Sequence, residues 1–224
     1  MTFIFDDLAG EEAFSIRGET CKYLMKVRRH RVGDRVAFRR PQEPVQLYTY
    51  EIVASDGRTA RLELRGSEIR EVAHPCSLHL GWCVIDGRSV EKVLPLLNEL
   101  GVARITFVYA RRSQKNFTPD WKRYERILHS SMQQCGRSTM MEFSVAESVE
   151  IFVETHPECI TFDFCDRVFD GEVSGTQTVL IGPEGGFSDE ERALFSKERM
   201  FRLDTPMVLR SETAAVAVSS KILL

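Results

Sequence analysis

The chain has 224 residues, 43% hydrophobic and 28% charged, with a formal net charge of −3. That length suits one large domain or a small domain beside a medium one, and the composition is that of a chain that buries an ordinary core. No apolar run reaches membrane-spanning length, and the opening Met1-Thr2-Phe3-Ile4-Phe5-Asp6-Asp7 lacks the basic and apolar regions of a secretion signal, so no membrane and a cytoplasmic location are expected.

The first seventy or so residues read as β structure. Residues 31–36 form a tight turn feeding a strand, and residues 45–53 and 59–65 are strand-like runs with Asp56-Gly57 as turn chemistry between them. Short strands at this density predict a small barrel. Its segment from Lys22 to Arg40 is basic, with Arg28, Arg29, Arg31 and Arg35 among eight cations against the single acid Asp34. A nucleic-acid backbone meets one face of a protein, so this local excess outweighs the acidic sum. Residues 65–75, with Gly66 and several charges, read as a linker.

From Cys76 the pattern changes to alternating strands and helices. A strand is predicted at 77–85 and broken by Asp86-Gly87; a helix follows at 89–100, with apolar spacing at Val90, Val93, Leu94 and Leu97, Gly101 as its cap and Pro95 as a kink or boundary. A strand at 104–109, a helix at about 119–134, strands at 159–164, 178–182 and 201–203, and helices at 188–197 and 212–224 complete the reading. This alternation predicts an α/β domain with a mostly parallel sheet. A second basic cluster, Arg111, Arg112 and Lys115, lies after the strand at 104–109. The six cysteines are scattered, without Cys-x-x-Cys spacing, so reduced, mostly buried thiols and no metal site are expected.

Two segments carry chemistry. In the first, the strand at 178–182 runs into Gly182-Pro183-Glu184-Gly185-Gly186-Phe187, and Ser188 with Glu191 forms a capping box that starts a helix. Glycines at the carboxyl end of a strand let a ligand approach the backbone. The loop lacks the Lys-Ser/Thr of a phosphate loop and the dinucleotide Gly-x-Gly-x-x-Gly spacing, and Glu184 favours a neutral or cationic ligand over a phosphate; a tight turn alone would also suit it. In the second, Leu203 to Leu209, closed by Pro206, leads into Arg210-Ser211-Glu212-Thr213 and a small-residue helix. Those polar groups suit a ligand at a helix start, or else Ser211 or Thr213 caps the helix while Arg210 pairs with Glu212.

Together, Ile-Gly-Pro-Glu-Gly-Gly-Phe-Ser at 181–188 and Leu-Arg-Ser-Glu-Thr-Ala at 209–214 closely resemble the RsmE-like 16S ribosomal RNA (uracil-N3)-methyltransferases of the SPOUT superfamily. Supporting matches are His79-Leu80-Gly81, Glu99-Leu100-Gly101-Val102, Arg112-Ser113, and Gln134-Cys135-Gly136-Arg137; residues 23–34 more loosely resemble the family's PUA-like barrel. The chain departs from the family pattern at Pro95-Leu96, Arg111 and Gln133.

The resemblance implies a PUA-like RNA-binding barrel at residues 1–72 and a SPOUT methyltransferase domain with a C-terminal trefoil knot at 73–224. It further implies a homodimer acting on 16S rRNA, within the small ribosomal subunit, with S-adenosylmethionine. By position, Ile181, Gly182, Pro183, Glu184, Gly185 and Gly186 would hold the cofactor on one side and Leu203, Leu209, Arg210, Glu212 and Thr213 on the other, with a third wall from the loop after the strand at 159–164. Arg210 or Arg112 would stabilise charge on the uracil carbonyls, and Glu212 or Glu184 would take the N3 proton. Arg28, Arg29, Arg31, Arg35, Arg111, Arg112, Lys115 and Arg137 would contact RNA. Two alternatives share parts of this reading: a SPOUT enzyme acting on a tRNA base or ribose 2′-hydroxyl, and a non-catalytic ribosome-assembly factor.

Overall fold

In the computed structural model, residues 3–114, 116–171 and 176–224 are described. The chain divides into two units, Met1–Ala73 with Met132–Thr139, and His74–Ser131 with Met140–Leu224.

The first unit is a mixed five-stranded sheet rolled into a half-barrel. Its strands β1 (Ile4–Phe5), β2 (Ala13–Arg17), β3 (Arg35–Arg40), β4 (Glu43–Ser55) and β5 (Thr59–Ile69) lie in the order β1-β3-β4-β5-β2. Among the described residues of this sheet, only β1 and β3 pair in parallel. Along β2, Phe14 and Ile16 are buried while Ala13, Ser15 and Arg17 are exposed, the two-residue period of a half-buried strand. Phe14, Phe38 and Tyr50 meet edge to face at centroid distances of 4.9–5.6 Å. The Tyr50 hydroxyl accepts from Gly10 N–H and donates to the Glu11 carbonyl, each at 2.7 Å, pinning the segment before β2. The predicted turn is present: Asp56 accepts from the Arg58 and Thr59 N–H groups, with Gly57 at φ +83°. The expected linker starts later, because β5 continues to Ile69 and pairs there with Gln46. Residues 67–69 are all exposed, so backbone pairing extends the strand where no apolar alternation marks it. Between β2 and β3 a short helix α1 (Gly18–Lys22) runs into a π-helical turn, Tyr23–Val27.

The second unit is an all-parallel six-stranded sheet with helices packed on it. Its strands are β6 (Leu78–Cys83), β7 (Arg104–Val108), β8 (Glu142–Ala146), β9 (Ile160–Phe162), β10 (Gln177–Ile181) and β11 (Met200–Phe201), in the order β11-β9-β10-β6-β7-β8. Every residue of central β6 is buried, as expected for a strand covered on both faces. The chain steps outward from β6 through β7 to β8, then returns to β9 and β10 on the other side. The sheet therefore reverses between β6 and β10, and the carboxyl ends of strands at such a reversal are where open α/β sheets bind ligands.

The helices are α2 (Gly87–Leu100), α3 (Trp121–Cys135), α4 (Val149–Thr155), α5 (Asp189–Arg192) and α6 (Ser211–Leu223). Asp86 caps α2 through the Arg88 and Ser89 N–H groups, and Gly101 ends it at φ +100°. Of the two effects expected at Pro95, a kink or a boundary, the boundary is absent: α2 is continuous through it, and the Pro95 carbonyl accepts from the Ser131 hydroxyl at 3.3 Å. Gly81 lets α4 lie close, since a Cβ there would sit 2.3 Å from the Phe152 ring. The helix expected at 188–197 is only the single turn α5, after which Phe195 turns in against Phe187 with centroids 4.7 Å apart. Of the cysteines, Cys21, Cys83 and Cys159 are buried and Cys135 is exposed. Among the described residues no helix is long and apolar enough to cross a membrane.

Candidate active site

The carboxyl ends of β9 and β10, the stretch after β11 and the start of α6 surround a cavity of about 440 Å³. That lies within the roughly 300–1,000 Å³ usual for small-molecule and cofactor sites. Phe162, Asp163 and Phe164 form one wall; Ile181, Gly182, Pro183, Glu184 and Gly186 form the second; Leu203 and the run from Met207 to Ser211 form the third. Two segments far apart in sequence thus face each other across one space.

Side-chain bonds hold those segments in place. The Ser211 hydroxyl donates to the Gly182 carbonyl at 2.6 Å and accepts from the indole N–H of buried Trp82 at 3.0 Å. Ser211 is therefore not the cap of α6; the capping position is Arg210, which makes no side-chain cap bond. Glu191, 1% exposed, does more than close its capping box. One carboxylate oxygen accepts from Ser188 N–H at 2.7 Å and the other from Arg111 N–H at 2.8 Å, which joins the glycine loop to the loop after β7. Arg112 reinforces that join, donating from Nη1 to the Gly185 carbonyl at 3.1 Å. Trp82 and the distant partners of Ser211 and Glu191 are structural parts of the site without a local sequence signal: the capping box and a possible cap are legible, but bonds spanning 29 to 129 residues are not.

The glycines have separate reasons. A Cβ on Gly182 would come within 2.9 Å of the Phe187 ring, and Gly186 has φ +66°, a conformation that side chains with a Cβ rarely adopt. Asp163, whose side chain is 4% exposed, pairs with Arg192 at 2.7 Å, and this hydrogen bond holds the Arg192 guanidinium above its ordinary pKa. Glu184 is exposed and forms no ion pair among the described residues. Glu212 is mostly buried; its Oε1 lies 3.9 Å from Arg210, and its Oε2 is buried without a hydrogen-bond partner.

Of the residues expected around a ligand, Ile181, Gly182, Pro183, Glu184, Gly186, Leu203, Leu209 and Arg210 line the cavity. Gly185, Glu212 and Thr213 lie beside it without lining it, Gly185 being turned towards Arg112. Arg28, Arg29, Arg31 and Arg35 are exposed on the first unit. Arg111 is exposed and paired with Glu190 at 3.0 Å. Arg137 departs from the expectation of an RNA contact: it is 7% exposed, its Nε donates to Thr139, and burial lowers its pKa. A guanidinium held inside in this way is not presented to phosphates. Lys115 lies outside the described residues. No group of His, Cys, Asp and Glu among the described residues is arranged to hold a metal ion.

Comparison with known proteins agrees with this architecture. A family described as RNA methyltransferase domain matches residues 72–223. The ribosomal RNA small subunit methyltransferase E of Helicobacter pylori strain 26695 is 36% identical over 223 residues, covering 98% of each chain. The fold is shared with a Legionella pneumophila protein solved in complex with the bound cofactor SAM (24% identity, TM-score 0.74, 99% and 96% of the two chains). It is shared as well with ribosomal RNA small subunit methyltransferase E of Neisseria gonorrhoeae bound to S-adenosyl methionine (18% identity, TM-score 0.72, 98% and 95%). With a domain match over most of its length and a full-length relative at this identity, the chain belongs to the ribosomal RNA small subunit methyltransferase E family of RNA methyltransferases.

Proposed function

We propose that this protein, an rRNA methyltransferase that uses S-adenosylmethionine, methylates N3 of a uridine in 16S rRNA of the small ribosomal subunit. The observation that carries the reading is the 440 Å³ cavity closed by the Ser211–Gly182 bond, in which the two family motifs meet.

The residues present fit the cofactor. The walls offer apolar side chains, Phe162, Leu203 and Leu209, for a nucleoside, and the stretch at Gly182, where a Cβ has no room, offers bare backbone. Glu184 places a carboxylate at a site that would take a cation, and Asp163 is already neutralised by Arg192. When bound, the cofactor supplies an electrophilic methyl group. The chain's own residues then bind and orient. Ile181, Gly182, Pro183, Glu184, Gly185 and Gly186 hold one side of the cofactor; Leu203, Leu209, Arg210, Glu212 and Thr213 hold the other.

N3 of uracil attacks only after losing its imide proton, which leaves negative charge shared with the carbonyl oxygens. Arg210, with 81% of its side chain exposed at the cavity wall, is placed to receive that charge, and Arg112 is the second candidate. Glu212, with an unpartnered carboxylate oxygen, or exposed Glu184 takes the proton. N3 lies on the pairing edge, so the base enters unpaired or flipped out.

In this reading residues 1–72 are a PUA-like barrel whose Arg28, Arg29, Arg31 and Arg35 hold RNA, with Arg111, Arg112 and Lys115 as further contacts, and residues 73–224 are a SPOUT domain with a trefoil knot. Support for the knot lies in the chain order: after β11 at one edge, the chain returns for α6 to pack on β6 and β10 near the middle. Exposed Phe164, Met207 and Val208 at the cavity mouth favour a homodimer in which a partner covers them. The protein works in the cytoplasm. Mass spectrometry of rRNA nucleosides from a strain lacking the gene should show loss of 3-methyluridine. Retained 3-methyluridine with a lost tRNA or 2′-O-methyl mark would overturn the substrate. Labelled-cofactor assays on free rRNA and on unmodified small subunits test how the substrate is presented.

A further inference from the structure

A second, smaller cavity lies within the first unit, beside the segment that follows α1. The π-helical turn Tyr23–Val27 is closed by Arg28 N–H to the Tyr23 carbonyl at 2.9 Å and by His30 N–H to the Leu24 carbonyl at 3.0 Å. Arg29 follows at φ +59°, the one non-glycine residue at positive φ among the described residues. Wide helical turns and left-handed backbone at a residue with a Cβ are both disfavoured locally and concentrate at functional sites. Here they fall side by side, at the most basic stretch of the chain.

The cavity measures about 210 Å³. Phe3, Leu24 and Val36 give it an apolar lining, and Tyr23, Arg28 and Arg35 add an aromatic ring and two cations. It is smaller than the roughly 300–1,000 Å³ of sites that enclose whole small-molecule ligands, so it suits a fragment the size of one base. Asp34, the acid nearest in sequence, is engaged by Arg31 N–H at 2.8 Å and by His30 Nδ1 at 3.4 Å. Arg28 and Arg35 are exposed and form no ion pair among the described residues. An apolar slot with an aromatic ring and two uncommitted guanidinium groups matches one nucleotide: a flat base with an anionic phosphate.

We propose that this cavity captures a single unpaired nucleotide of the RNA substrate, with the base against Tyr23 and the phosphate held by Arg28 and Arg35. The inference deepens the rRNA reading and rests on it for the identity of the ligand. Single-stranded RNA is bound largely by stacking bases on aromatic rings and by cations along the backbone, and a paired base has no route into a slot of this size. The role is distinct from methyl transfer, since every lining residue belongs to the first unit.

The test uses the full chain and fluorescence anisotropy with a labelled eight-residue oligouridylate, a mixed-sequence single strand and its duplex. Tyr23→Ala should weaken binding to the single strands by about 5- to 150-fold, the effect of losing one stacked base, and Tyr23→Phe should restore it. Arg28→Ala with Arg35→Ala should flatten the plot of log affinity against log salt by about 0.7, the one single-strand phosphate that the two arginines share. S-adenosylmethionine affinity by calorimetry should match the parent in all three. Because Tyr23 also packs against the barrel core, photocrosslinking of the parent protein to 5-iodouridine RNA gives a readout free of folding, with the adduct expected on the peptide containing Tyr23. Adducts only elsewhere, or a folded Tyr23→Ala protein with parental affinity, would overturn the pocket. Loss of single-strand and duplex binding in equal measure would overturn it too, leaving a general basic surface. Methylation of rRNA by variants with parental RNA affinity would sink the pocket and spare the rRNA reading. A parent that crosslinks at Tyr23 but leaves rRNA unmethylated would do the reverse.

Discussion

Arg210 lines the cavity; its ion pair among the described residues is with the mostly buried Glu212 at 3.9 Å, and with the guanidinium itself exposed a contact at that distance contributes little. The guanidinium is thus available to a substrate carbonyl. Arg210→Ala should slow single-turnover methylation at saturating cofactor by about 100- to 1,000-fold, the usual cost of removing one such donor. Glu191 is the opposite kind of residue, buried and fully committed to two N–H groups. Glu191→Gln leaves one of them facing an amide NH2, so urea unfolding should show a loss of about 1–3 kcal/mol, accompanied by weaker cofactor binding. Parental values in both measurements would mean that the clasp between the two loops does nothing. His79 makes a pH prediction. Burial, reinforced by neighbouring His156 and Arg104, lowers its pKa from 6.5 to about 4, and its ring bonds Thr106 at 2.7 Å. The folded state binds this proton less readily than the unfolded one, so the stabilisation is complete above about pH 6.5 and fades as pH falls towards 4. The loss is at most about 3 kcal/mol, less with residual hydration. Urea midpoints at pH 7.5 and 4.5 should diverge in the parent and converge in His79→Gln. Residues that read correctly from sequence, such as the Asp56-Gly57 turn and the Ser188–Glu191 box, are those whose reason is local: a turn, a cap. The Ser211 hydroxyl was readable only as a possible cap, because its two partners sit 29 and 129 positions away.

Among the elements, the glycine loop and α6 act as one device. Ser211→Ala removes the shared hydroxyl and leaves the Trp82 indole N–H and the Gly182 carbonyl to find other partners, at a cost of about 1–3 kcal/mol. Differential scanning calorimetry should show that loss, and a smaller rise in melting temperature on adding cofactor than in the parent. A melting temperature within 1–2 °C of the parent, roughly the shift left by a few tenths of a kcal/mol, would show the bond to be dispensable. Element type was readable from sequence wherever burial is regular. β6, β7, β9 and β10 are apolar runs, and α2 carries a clear helical stripe between Asp86 and Gly101. β8 escaped because it is an edge strand with only Ala146 buried, and α4 because it has just seven residues. β1 and β2 are short as well, and β2 shows only two buried positions. Backbone pairing creates such elements, and side-chain pattern does not announce them.

For the whole molecule, the net charge of −3 conceals a strongly cationic stretch on the first unit. If Arg28 and Arg35 share one phosphate of a single strand and Arg29 and Arg31 each meet another, log affinity should fall against log salt with a slope near −2. Raising salt from about 50 to 200 mM would then weaken RNA binding about 20-fold, while binding of the small cofactor shifts little. A flat salt response would place RNA elsewhere.

The Trp82–Ser211 bond also has a temporal meaning. A ribosome makes proteins from the amino end, and the strand that carries Trp82 leaves the exit tunnel long before Ser211 is joined to the chain. Until then the glycine loop has nothing to lean on, and the cavity lacks its third wall. A polypeptide made only as far as the glycine loop therefore lacks an enclosed cavity, which closes only once Ser211 and α6 have been added.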